Sequence, residues 1–116
     1  MTRNSVFAIA AAVTLLGSAG SSAAERPPLD GARLFTYHGC ENCHGAQGKN
    51  PKSKYVPKLG GKSADTLLAK ATKILAGEDL TDESMMMHSA IAYSQACDAP
   101  PNEDELRAIT TWLSAQ

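Results

Sequence analysis

The chain has 116 residues, a length typical of one domain. Its 11 lysines and arginines are balanced by 12 aspartates and glutamates, so it lacks the general basic excess of a nucleic-acid-binding protein. The charges are nevertheless separated along the chain: all seven lysines lie at positions 49–73, whereas positions 78–105 hold eight acidic residues and no lysine or arginine. This separation indicates either two ordinary solvated faces or a docking face for a charged partner.

The N-terminal stretch has the pattern of a secretory signal. Arg3 supplies a positive charge, residues 6–16 form an uncharged and mostly apolar run, and residues 22–24 are the small residues of a cleavage site. The apolar run is too short to span a bilayer, and no other run is long enough, so we predict no membrane span. A buried N-terminal helix is the alternative. We predict a signal peptide over residues 1–24 and an exported, periplasmic domain over residues 25–116.

The predicted domain is poor in the side chains that usually fill a protein core. It has 92 residues and only five aromatic side chains. The whole chain has three cysteines, and an odd number argues against a closed disulfide framework. Small chains of this kind often need a metal or a cofactor to be stable.

Helical signals begin soon after the predicted cleavage site. Asp30 is a suitable N-cap for a helix that ends near Gly39, and a second helix is expected between Ser63 and Gly77. The intervening residues 45–61 are rich in glycine, proline and lysine, which predicts a loop. This loop is long for a compact domain, so we expect something outside the chain to pack beneath it.

The C-terminal third also has helical periodicity. Residues 85–96 are predicted to form a short helix, and the last helix begins after Asn102, with Glu105 completing a capping box. Strand-like alternation of useful length is absent from the sequence. We therefore predict an all-α fold of three or four short helices with long loops. The inward side of the last helix should consist of Leu106, Ile109, Thr110 and Leu113.

The stretch Cys40-Glu41-Asn42-Cys43-His44 carries the chemistry of the chain. One interpretation is a zinc site, but no second paired motif supplies the remaining ligands. Another is a redox dithiol, which would normally occur in a βαβ context that this sequence lacks. The third is covalent haem attachment, for which C-x-x-C-H is the signature. Two thiols at this spacing can bond the two vinyl groups of one haem edge, and His44 can then bind the iron.

A second axial ligand would have to come from further along the chain. The run at positions 85–88 offers Met85, Met86, Met87 and His88. Methionines on a helix usually pack in a core, but three consecutive ones cannot all face the same way. We predict that one of these methionines binds the iron and that His88 is the less favoured alternative. His38 is too close to Cys40 to reach the other face of a haem, and we interpret it as an ordinary residue.

Almost the whole of residues 25–116 resembles a class I monohaem cytochrome c of the small bacterial periplasmic type. The stretch GARLFTYHGCENCHG is similar to the N-terminal helix and haem motif of that family, YVPKLGG to its proline loop, and SADTLLAKATKILAG and EDELRAITTWLS to its later helices. The resemblance implies the cytochrome c fold, wrapped around one covalent haem c. It also implies that Gly31, Phe35 and Trp112 meet where the first and last helices cross.

The resemblance further assigns site residues. Cys40 and Cys43 would attach the haem, and the carbonyl of Pro57 would accept a hydrogen bond from the axial ligand His44. By its spacing to Ala90 and Ile91, Met87 is the preferred distal ligand, and Met86 and Met85 are less favoured. The segment between these methionines and the last helix is longer than is usual in the family. It contains Cys97, which is predicted to be a small buried residue or, failing that, a free or intermolecular thiol.

A histidine and a methionine together would saturate the iron, so the expected function is one-electron transfer rather than catalysis. We predict a diffusible periplasmic electron carrier whose partners are redox proteins, and the lysine-rich region is its candidate docking face for an acidic one. The alternative is a haem c subunit of a periplasmic dehydrogenase complex, for example for sulfur compounds or alcohols. A gas-binding sensor is a further class, and it would require a vacant distal position.

Overall fold

The computed structural model describes Gly17, residues 26–92 and residues 99–116. Apart from Gly17, the signal peptide predicted over residues 1–24 lies outside the described residues, and so does Cys97. All regular secondary structure in the described ranges is helical, which confirms the predicted all-α class. Within those ranges, no helix is both long enough and apolar enough to cross a membrane.

Five α-helices and one short 3-10 turn follow one another in the described part of the chain. They are α1 (Gly31–Tyr37), α2 (Glu41–His44), the 3-10 turn (Ala46–Gly48), α3 (Ala64–Ala76), α4 (Asp82–Ala92) and α5 (Glu103–Ser114). The prediction of three or four helices missed α2, because a single helical turn is too short to show periodicity in sequence. The C-x-x-C-H motif itself therefore folds as one turn of helix.

Local capping explains where the longer helices begin. The Oδ1 atom of Asp30 accepts a hydrogen bond from the backbone N–H of Arg33 at 3.2 Å, as expected for the N-cap of α1. The predicted capping box of α5 is also present, with Asn102 and Glu105 each bonding the backbone of the other at 2.9 and 3.1 Å. In contrast, Ser63 occupies the N-cap position of α3, but its side chain makes no capping hydrogen bond.

Helix α4 begins at Asp82, three residues before the predicted start at position 85. The reason is a reciprocal pair of hydrogen bonds between Thr81 and Ser84. The N–H of Thr81 donates to Ser84 Oγ at 2.7 Å, and the N–H of Ser84 donates to Thr81 Oγ1 at 3.2 Å. A capping box normally has Glu or Gln at the position of Ser84, so this helix start could not be predicted from the capping-box pattern. The predicted C-terminal part of this helix beyond Ala92 lies outside the described residues.

The first and last helices cross at Gly31, as the family resemblance implied. A Cβ atom at this position would collide with the carbonyl oxygen of Ala108 and with the Cβ of Trp112. The rings of Phe35 and Trp112 pack beside the crossing, with their centroids 5.3 Å apart. Glycine therefore lets the two backbones approach closely enough for these aromatic rings to meet.

The hydrophobic core lies between α1, α3 and α5. Its buried cluster consists of Leu34, Phe35, Leu67, Ile109 and Leu113. The predicted inward side of α5 is buried along its whole length, which includes Leu106 and Thr110. On α3 only Leu67 is fully buried, and the rest of its apolar stripe, including Ile74, is partly exposed in the described structure.

The long loop after the motif is fixed to the rest of the domain by backbone hydrogen bonds. The N–H of Lys52 donates to the carbonyl of Cys43 at 2.8 Å, and the N–H of Leu59 donates to the carbonyl of Gly48 at 2.8 Å. At the far end of the loop, the N–H of Gly61 donates to the carbonyl of Leu113 in α5 at 2.9 Å. These bonds hold the loop against the motif and the core.

Candidate functional site

A cavity of about 680 Å³ opens between the motif, the loop, α3 and α4. This volume lies within the range of about 300–1,000 Å³ that is typical of small-molecule and cofactor sites. Its wall includes Cys40, Cys43, His44, Val56, Pro57, Ile74, Met86, Met87 and Ile91. The fold thus brings the residues of the C-x-x-C-H motif, the predicted proline and two of the three consecutive methionines to one site.

The motif is held in its helical turn by the backbone. The N–H of His44 donates to the carbonyl of Cys40 at 3.0 Å, which places the two cysteines on one side of the turn at i and i+3. Gly45 ends the turn with a positive φ of 76°. A Cβ at Gly45 would collide with the backbone of Asn50, so the chain can turn back this tightly only with glycine.

His44 is buried, and its ring is oriented by the loop. Its Nδ1 atom donates to the carbonyl oxygen of Pro57 at 3.0 Å, which leaves Nε2 with a free electron pair. Burial lowers the pKa of His44, and the bond to Pro57 opposes this effect only in part. The imidazole is therefore neutral at neutral pH, as a metal ligand must be. The contact expected between His44 and Pro57 is thus present, while their roles at a haem stay predictions.

The two motif cysteines have free thiols in different surroundings. Cys43 is exposed, whereas Cys40 is partly buried. Desolvation raises the pKa of the Cys40 thiol from 9.0 to about 12. Both residues line the cavity, so both are placed to bond one molecule within it.

The three consecutive methionines differ in how they meet the cavity. Met86 and Met87 form part of its wall, whereas Met85 does not. Met86 is 65% exposed, and Met87 is more deeply placed. His88 is also outside the wall, and its Nδ1 atom instead lies 2.7 Å from the carbonyl oxygen of Ile74.

Comparison with protein families decides what this site binds. A family model described as cytochrome c matches residues 29–116, which is most of the chain. The chain belongs to the cytochrome c family. Searches of curated proteins and of solved structures returned no match. Members of this family carry haem c bound covalently through C-x-x-C-H, so haem c is the cofactor of this cytochrome, and its function is haem-based electron transfer.

The cavity of this cytochrome fits such a group by its chemistry. Two free thiols three residues apart in the motif line the cavity, and beside them a neutral imidazole is oriented by a backbone carbonyl. Thioether side chains from α4 share the same wall, together with the apolar side chains of Val56, Ile74 and Ile91. The membership favours haem attachment over the zinc and dithiol interpretations of the motif.

One residue of the cytochrome was undervalued in the sequence. His38, interpreted above as ordinary, is buried in the cavity wall. Its Nε2 atom lies 3.3 Å from the carboxylate of Glu105, which in turn pairs with Arg26 at 2.9 Å. The one sequence signal that could have found the burial of Glu105 is its spacing to Ile109 and Leu113, four residues each, which places it on their side of α5.

Proposed function

We propose that this cytochrome is a periplasmic one-electron carrier whose haem iron is bound by His44 and Met87. The observation that supports it most is the shared cavity wall: an imidazole oriented through Pro57 and a methionine of α4 border the same space. The signal pattern over residues 1–24 supports export. The family membership supplies the electron-transfer function.

In this proposal each residue of the site has its own role. Cys40 and Cys43 hold the group covalently, and Pro57 keeps the His44 ring in one tautomer with Nε2 as the donor atom. The bound haem supplies a one-electron couple between Fe(III) and Fe(II). A thioether from Met87 favours the reduced form, because it is a soft ligand.

Met87 is proposed over its neighbours because of its placement. Met85 is 51% exposed and outside the cavity wall. Met86 reaches the wall, but it remains the most exposed of the three, and exposure to water works against a stable thioether ligand. Two strong protein ligands would leave no position for a substrate, which favours a carrier over an enzyme and over a gas sensor.

The distal ligand can be tested in the haem-loaded protein. Met87→Ala should abolish the weak red absorption band of sulfur-ligated Fe(III), lower the reduction potential and allow carbon monoxide to bind the reduced form. Met85→Ala is the matched control and should keep the band and exclude carbon monoxide. If Met86→Ala alone has the effect, the register is wrong by one residue. If all three variants keep six ligands while His88→Ala does not, ligation by methionine is wrong.

The surroundings of the cavity support a charged partner. Lys70 and Lys73 lie in its wall near three acidic residues, and Lys73 pairs with one of them, Asp79, at 3.7 Å. On the loop side of the cavity, the exposed Lys54 and Lys58 flank wall residues 55–57, which carry no acidic side chain. We propose that this lysine-bearing side of the cavity docks an acidic redox protein, because complementary charge speeds encounter. A stoichiometric catalytic subunit that copurifies from the native host would instead make this chain the haem subunit of a dehydrogenase complex.

A further inference from the structure

His88 stands where α4 meets the end of α3. Its Nδ1 atom lies 2.7 Å from the carbonyl oxygen of Ile74, fourteen positions earlier in the chain. A carbonyl can only accept a hydrogen bond, so Nδ1 carries the proton and donates it. We propose that His88 is a positioning residue whose bond to Ile74 keeps α4, and with it Met87, at the cavity. This inference rests on the proposed ligation by Met87.

The acceptor is one of the carbonyls that a helix leaves without a partner at its C-terminus. Gly77 caps the C-terminus of α3, and its N–H also donates to the carbonyl of Ile74, at 3.1 Å. The next N–H, that of Glu78, donates to the carbonyl of Lys73 at 2.9 Å. The two lone pairs of the Ile74 oxygen thus accept one bond from its own turn and one from α4.

The imidazole also packs on this turn. A Cβ atom built on Gly77 would lie 3.6 Å from Cε1 of His88 and 3.8 Å from its Nε2. The ring is partly buried, and it is not part of the cavity wall. His88 therefore joins two helices directly and acts on the site only through its neighbour in the chain.

Helix α4 has few other attachments in the described structure. Ile91 is its only fully buried residue there, whereas Met85 and Met86 are largely exposed. The bonds between Thr81 and Ser84 at its start are local. Among the described residues, the His88–Ile74 bond is the hydrogen bond that joins α4 to another helix.

A helix attached this weakly can open while the rest of the domain stays folded. The core of α1, α3 and α5 does not depend on α4 for its buried cluster. Loss of the His88 bond should therefore free α4 and the methionine without unfolding the domain. Removing one hydrogen bond should raise the population with dissociated methionine by roughly 3- to 10-fold.

The test uses three variants of the haem-loaded protein. His88→Leu removes the donor and keeps bulk, His88→Asn restores a donor near the position of Nδ1, and Ser89→Ala is an exposed control on the same helix. Each is titrated with denaturant while the red sulfur–iron band and the far-ultraviolet helix signal are followed together. We expect the band of His88→Leu to disappear at a lower denaturant concentration, with the helix midpoint nearly unchanged. His88→Asn and Ser89→Ala should behave like the parent.

Two results would overturn the inference. One is that the sulfur–iron band of His88→Leu disappears at the same denaturant concentration as the band of the parent protein. The other is that the denaturant midpoints of the sulfur–iron band and of the helix signal fall by the same amount. His88 would then contribute to the stability of the whole domain rather than to the position of α4. The companion variant Met87→Ala separates this failure from failure of the ligand assignment. If Met87→Ala keeps the band, the proposed ligation is wrong; if it loses the band and His88→Leu has no selective effect, only the role of His88 is wrong.

Discussion

The Nε2 atom of His38, just after α1, lies 3.3 Å from Oε2 of Glu105, near the start of α5. Both side chains are almost completely buried, at 1% and 3% exposure. Arg26 binds the same carboxylate through Nε at 3.0 Å and also donates to the carbonyls of Ala99 and Pro100. One carboxylate therefore connects the start of the domain, the segment before the haem motif and the last helix.

This arrangement predicts how stability depends on pH. Burial raises the pKa of Glu105, but the hydrogen bonds from Arg26, Asn102 and His38 outweigh it, so the pKa lies below its ordinary value of 4.5. The carboxylate therefore contributes stability that is complete above that value and is lost as the pH falls through the lower pKa of the folded state. Glu105→Gln should lower the free energy of unfolding by roughly 1–3 kcal/mol at neutral pH. Denaturant titrations should show the difference from the parent shrinking on acidification.

Glu103 provides the control for this prediction. It pairs with Arg107 at 3.0 Å within α5, and both side chains are exposed. Exposed pairs of this kind contribute about 0–1 kcal/mol, so Glu103→Gln should change the unfolding curve little at any pH. A difference between Glu105→Gln and the parent that stays constant down to about pH 3 would contradict the assigned cause.

The crossing of α1 and α5 predicts that replacing a helical glycine by alanine lowers stability instead of raising it. Replacing glycine by alanine within a helix normally stabilises it by about 0.5–1 kcal/mol. At Gly31 the added methyl group would collide with Ala108 and Trp112, so Gly31→Ala should instead destabilise the domain by roughly 1–3 kcal/mol. Thermal unfolding measures the effect, and Arg33→Ala, on the exposed side of α1, is the control. A higher Tm for Gly31→Ala would mean that the helices do not cross here.

Covalent attachment can be checked by mass. If residues 1–24 are removed as predicted, the protein should exceed the mass of the chain from Glu25 by one haem, and this increment should survive denaturation. Cys40→Ala or Cys43→Ala should weaken or abolish covalent retention, because each removes one thioether bond. Cys97→Ala is the control, since it leaves the C-x-x-C-H motif intact. Haem that washes out of the unmodified protein under denaturing conditions would contradict the attachment.

The proposed docking surface predicts a dependence on salt. The double charge reversal Lys54→Glu with Lys58→Glu should slow electron transfer to an acidic redox protein by roughly 10-fold at low ionic strength. The effect should fade as the Debye length shrinks to about 8 Å at physiological salt. Stopped-flow rates measured over a salt series test this.

A charge reversal away from the cavity tests whether the position of the lysines matters for the rate. Arg107→Glu places a charge reversal on the exposed side of α5, a helix that contributes no residue to the cavity wall. It should slow the reaction much less than the lysine variants. If the double lysine variant and the parent react at the same rate at every salt concentration, the lysines form an ordinary solvated face and not a docking surface.

The parts of the fold that depend on near neighbours could be predicted from the sequence. The cap at Asp30 and the capping box of Asn102 involve partners three residues away, so the pattern alone determined them. The partners of Glu105 are Arg26 and His38, which are 79 and 67 residues distant. No local pattern could pair them, and the importance of His38 was missed for that reason.

The same difference between near and distant partners in the sequence applies to the site. The spacing of the motif identified the attachment residues, since one helical turn fixes their relation. The choice among the methionines could not be settled, because consecutive residues on a helix point in different directions. Which of them meets the cavity depends on how α4 docks, and the contact between His88 and Ile74 joins elements that are distant in sequence.

The size of the cavity has a consequence for how the protein is made. The buried core of the described structure consists of only seven hydrophobic side chains, beside a cavity of about 680 Å³. A chain that never received its cofactor would have little to hold α4 and the loop in place, and it should be cut readily by proteases. In the folded chain, burial raises the pKa of the Cys40 thiol to about 12. The thiol would then be a poor nucleophile at neutral pH, because the thiolate is the reactive form. We therefore expect attachment to precede closure during biogenesis, so that survival of the mature chain reports that its cofactor is present.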